Sequence, residues 1–165
     1  MAAKSDFTDQ EWSQLLSAPT LAAMAVTLAE PSGIWGMLKE GMASARAVAT
    51  AATATGGDAL VHEIATSLTS SDGRHAALEA MKAELKGKAP AELKLHVMNR
   101  LAEVGALLDA KAAPDAPAAK AWLAKIAEMA AEASSEGGFL GFGGVKVSDA
   151  EKATIAELRT ALKLA

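Results

Sequence analysis

Apolar side chains recur at three- and four-residue steps along nearly the whole chain, the spacing that puts them on one face of an α-helix. Caps and breakers divide this pattern into elements. Phe7-Thr8-Asp9-Gln10-Glu11-Trp12 predicts a helix start: Thr8 caps, Glu11 three residues on completes a capping box, and Phe7 and Trp12 hold the two hydrophobic-staple positions. The Ala18-Pro19 step predicts a stop near Ser17, because the residue before a proline is pushed out of helical geometry. Pro19 then opens a second helix carrying Leu21, Met24, Ala25 and Leu28, which Glu30-Pro31-Ser32-Gly33 ends.

A third helix is expected from about Ile34 to Ala54, despite Gly36 and Gly41, each of which costs on the order of 1 kcal/mol against alanine. Its end, Ala47 to Thr55, holds only small side chains apart from Val48, so it either packs backbone-close against a neighbour or frays before Gly56-Gly57. Asp58 caps a fourth helix with Leu60, Val61, Ile64 and Leu68 on one face. Asp72-Gly73 opens a fifth, with Leu78, Met81 and Leu85 inward and Gly87 beyond its end. Pro90 restarts the chain, and Leu93, Val97, Leu101, Val104 and Leu108 form the cleanest stripe, on a helix from Ala91 to Lys111.

Residues 112–117 read as a Pro/Ala linker within one domain. A helix from Ala118 to Ser135 should bury Trp122, Ile126, Met129 and Ala130. Ser148 and Glu151 form a second capping box, opening a last helix with Ile155, Leu158 and Leu162 inward. The pattern predicts an all-α bundle of seven to eight helices, a single domain over 1–165 with a flexible amino-terminal stretch at 1–6. Between the last two helices lies a glycine-rich loop at 137–147, holding two of the three phenylalanines and five of the 13 glycines, which makes it the least helical part of the chain.

Composition supports this architecture. A chain of 165 residues suits one domain, and the 51% hydrophobic content is dominated by alanine with only 4% aromatics, which favours closely packed helices. A net charge of −4 without clustered Lys or Arg argues against a nucleic-acid binder. With no cysteine, disulfides, thiolate nucleophiles and cysteine-based metal sites are excluded. The start lacks the apolar core of a secretory signal, and the longest apolar run, Ala18 to Ala29, is about half of the ~20 residues a transmembrane helix needs. The expectation is a soluble, cytoplasmic protein.

No catalytic constellation is visible. Phosphate-loop and nucleophile-elbow patterns do not occur, and His62-Glu63-Ile64-Ala65-Thr66 departs from the zinc-protease motif at its fifth position. His75 and Glu79 stand four apart, the spacing of an exposed side-chain pair or of two metal ligands. No loop carries the acids of an EF-hand.

Two stretches, Met24 to Gly33 and Glu128 to Gly137, each run from an Ala/Met-rich helix into a polar turn with glycine and on to a helix near an acid, Glu40 and Glu151, which reads as an internal helix-pair duplication. Together with Ser71-Asp72-Gly73 and Glu79, this arrangement resembles the tellurite-resistance protein B (TerB-like) family of small cytoplasmic all-helical domains, in which acidic residues are proposed to hold metal ions. The resemblance covers mainly Leu21 to Glu40 and Ala121 to Leu164, and implies divalent-metal candidates at Glu30, Glu40, Glu136 and Glu151. The family's Asp-Gly pair is replaced by Ser32-Gly33 and Glu136-Gly137, which puts an acidic metal pair in doubt. The capping box alone also accounts for Glu151.

The loop residues Phe139, Leu140 and Phe142 have two readings: a plug folded under the helix pair, or an exposed surface that binds a protein partner. A membrane surface ranks below a protein partner, since only Lys146 stands nearby. The function expected is that of a non-enzymatic accessory protein of a stress response that works by binding, with metal binding as the alternative.

Overall fold

In a computed structural model, residues 1–29, 44–135 and 147–164 are described. Among them the regular structure is entirely helical: α1 (Asp9–Thr27), α2 (residues 44–53), α3 (Ala59–Thr69), α4 (Ser71–Leu85), α5 (Pro90–Lys111), α6 (Ala116–Ser135) and α7 (Asp149–Ala161), with a short 3₁₀ turn at Lys4–Asp6. The all-α bundle expected from the pattern is what forms.

The local start signals act as their chemistry dictates. Thr8 Oγ1 accepts from Glu11 N–H at 3.2 Å while Glu11 Oε2 accepts from Thr8 N–H at 2.7 Å, satisfying two amides that a helix start leaves without partners. Phe7 packs on Trp12 with ring centroids 5.9 Å apart, closing the staple. Asp58 Oδ1 accepts from Val61 N–H at 3.1 Å to cap α3. Gly87, with φ of +77°, takes the left-handed conformation just past the end of α4.

Helix α1 is the axis of the molecule, packing against α3, α4, α5, α6 and α7. It runs unbroken through Pro19, so the break expected near Ser17 does not occur. Proline in a helix interior removes one hydrogen bond and costs about 3 kcal/mol. Breaking here would instead uncover Leu15, Leu16 and Leu21, all at most 3% exposed and each contributing roughly 1.5–3 kcal/mol when buried. Burial on both sides of the proline outweighs the lost bond, and the two helices expected there are one.

Three smaller corrections concern starts and faces. Ser70 Oγ, 3.0 Å from Gly73 N, caps α4, so the helix begins at Ser71 rather than at Asp72-Gly73. Leu78 faces outward at 44% exposure and Ala77 faces the core, because α4 packs through alanines against α1 and α3. Helix α6 begins at Ala116 and draws the last residues of the expected linker into its first turn. The third helix expected from Ile34 falls partly outside the described residues; 44–53 are helical.

One hydrophobic cluster joins these helices, with Leu60, Val97, Leu101, Ile126, Leu158 and Leu162 fully enclosed. The stripe on α5 supplies its centre. Leu162, just past the end of α7, packs on α5 beside Gly105, where a Cβ would meet its Cα at 3.4 Å, an ordinary van der Waals contact. Lys120 on α6, 4% exposed, meets Asp109 on α5 at 2.6 Å. In the amino-terminal stretch, Ala2 N–H donates to Asp115 Oδ2 at 2.6 Å and Lys4 N–H to Glu63 Oε2 at 3.0 Å.

Candidate functional site

A groove of about 510 Å³ lies between α1, α2 and the α3–α4 turn. Its floor comes from the second half of α1, where Pro19, Ala23, Met24 and Thr27 are contributed. Ala45, Val48 and Ala49 of α2 line it as well, and Leu68, Thr69 and Arg74 line it at the α3–α4 turn.

The groove exists because the facing side chains are short. Alanines at 45 and 49 end one carbon from the backbone, so α2 does not fill the space in front of α1 that leucines would occupy. The Ala/Thr-rich stretch beginning at Ala47 therefore takes neither of the two courses expected for it in full. Its helix persists to residue 53 and Ala47 is buried, yet Val48 and Ala49 border open space.

Two hydroxyls of the lining are turned to their own helices. Thr27 Oγ1 donates to Ala23 O at 3.4 Å and Thr69 Oγ1 to Thr66 O at 2.7 Å. Among the described residues Arg74 supplies the one charge of the lining, and its Nη1 donates to Thr69 O. Among the described residues no carboxylate pairs with Arg74. Among the described residues the lining contains no histidine and no acid.

No family model matches this chain, and no curated protein or solved structure does. The groove's chemistry is therefore read from its own residues.

Of the residues singled out in the sequence, Glu30, Glu40 and Glu136 lie outside the described residues, as do Phe139, Leu140 and Phe142. Glu151 is described. It is 5% exposed, its Oε2 accepts from Ser148 N–H at 2.8 Å, and its own N–H donates to Ser148 Oγ at 3.2 Å. That reciprocal pair is the capping box, and it accounts for a glutamate at this position. Glu79 bonds Lys82 at 2.9 Å on the exposed side of α4, and this ammonium, ahead of the more distant His75, holds its carboxyl below the ordinary value. Among the described residues no three acids or histidines converge as metal ligands. None of their helices is long and apolar enough to cross a membrane.

Sequence reasoning missed the groove. The signal was present in the run of small residues on α2 opposite Met24, but whether such a run packs closely or leaves space depends on where a neighbouring helix crosses it.

Proposed function

We propose that this protein is a non-enzymatic binding module, a cytoplasmic accessory protein, whose ligand is a small, largely apolar molecule held in the groove between α1, α2 and the α3–α4 turn. The observation that supports this reading is the groove's size combined with its lining. About 510 Å³ lies within the ~300–1,000 Å³ typical of small-molecule sites, which favour spaces between helices of a bundle. Ala23, Met24, Val48 and Leu68 present apolar surface that an occupant would remove from water, and methionine adapts to irregular shapes.

Calorimetric titration with dodecanol, a neutral twelve-carbon amphiphile, tests the reading. The native protein is expected to bind at one site, and Ala49→Phe, which fills the groove from an exposed helix position, to lose that binding while keeping its helical content. No binding by the native protein, or equal binding by Ala49→Phe, overturns it.

A further inference from the structure

We infer that the groove selects an amphipathic anion, a free medium-chain carboxylic acid in its ionised form, with the chain along α1 and α2 and the carboxylate at Arg74. This rests on the proposed ligand-binding role of the groove and adds the charge and orientation of the ligand.

The argument begins with the asymmetry of the lining. Met24, Val48 and Leu68 offer a chain apolar contact, whereas the one cation among the described lining residues stands at the α3–α4 end of the lining, beside Leu68 and Thr69. A hydrogen bond from Nη1 to Thr69 O holds the guanidinium at that end. Guanidinium carries five N–H donors in a planar fork, so one bond to a carbonyl leaves donors for a carboxylate. No carboxylate among the described residues pairs with it.

Charge complementarity thus decides among possible occupants. A neutral hydrocarbon would fill the apolar part and leave the guanidinium unused. An amphipathic cation would bring like charge to Arg74. A carboxylate at the end of an apolar chain matches both, and Arg–carboxylate contact is among the stronger hydrogen-bonded pairs. The groove is also too small for a partner helix, whose cylinder with side chains is about 10 Å across, to be enclosed within it.

The test compares two ligands that differ only at the head. Dodecanoate and dodecanol are titrated calorimetrically, at about pH 8 and below micelle-forming concentrations, into the native protein, Arg74→Gln and Arg74→Lys. The native protein is expected to bind dodecanoate on the order of tenfold more tightly than dodecanol, as one charge-assisted contact implies. Arg74→Gln should remove that preference with dodecanol affinity unchanged, and Arg74→Lys should keep part of it. Equal affinity of the two ligands for the native protein, or a preference that survives Arg74→Gln, overturns the inference and leaves the groove as a site for neutral ligands. Binding of neither ligand overturns the binding role itself, and the inference with it. Dodecanoate binding that persists in Ala49→Phe would place the anion elsewhere and also overturn it.

Discussion

Lys111 Nζ lies 2.6 Å from Glu11 Oε2, joining the last turn of α5 to the first turn of α1 across a hundred residues of sequence. The same carboxylate oxygen accepts from Thr8 N–H, so one side chain both caps α1 and ties it to α5. The Lys111 hydrogen bond, followed by the Thr8 amide, holds the Glu11 carboxyl below its ordinary value of 4.5.

A carboxyl whose folded value is depressed contributes stability that is present above its unfolded value and lost as the pH falls through the folded one. Glu11→Gln should therefore lower the melting temperature at about pH 6, and the gap to the native protein should close as the pH falls below 4.5. Thermal melts of both proteins across that range check this. A gap that stays constant into acid would mean that the charge of Glu11 contributes nothing.

Thr154 on α7 is fully buried, and its Oγ1 meets no hydrogen-bond partner among the described residues. An enclosed hydroxyl without a partner costs roughly 1–3 kcal/mol in lost hydration. Thr154→Val keeps the branched shape and removes that cost, so it should stabilise the protein by about 1 kcal/mol in denaturant unfolding. Destabilisation would show that the hydroxyl is satisfied.

Gly73 stands at the turn that closes the groove. A Cβ there would overlap Ser67 O and lie 2.7 Å from Ser67 C, both backbone atoms that cannot rotate away. Gly73→Ala should destabilise by about 1–3 kcal/mol, the usual range for forced overpacking, and weaken ligand binding by shifting Leu68, Thr69 and Arg74. Gly57→Ala, whose Cβ would meet only Ala54 Cβ at 3.8 Å, serves as the control and should alter neither.

Features legible in the sequence are those decided within a few residues. The Thr8–Glu11 and Ser148–Glu151 boxes, the Asp58 cap and, apart from the partly exposed Leu93, the Val97–Leu101–Val104–Leu108 stripe depend on spacing along one helix and form. Pro19 was not legible because its local preference is overridden by the leucines around it, which only the assembled bundle buries. The facing of α4 was ambiguous for a related reason: Ala76 and Ala77, and not its leucines, pack on the core, and periodicity alone does not choose between Ala77 and Leu78. The groove was the least legible of all. It is defined by side chains that do not reach one another, and no local pattern records where a helix crossing leaves room.

Methyl-resolved NMR of the native protein with dodecanol reports directly on whether the groove between α1 and α2 holds a ligand. The methyls of Met24, Ala23 and Ala49 should shift in a saturable manner, while those of Leu101 and Leu158, enclosed in the core outside the groove, stay in place. Unchanged Met24 and Ala49 signals at saturating dodecanol, or shifts spread evenly over the core methyls, would contradict a ligand site in this groove.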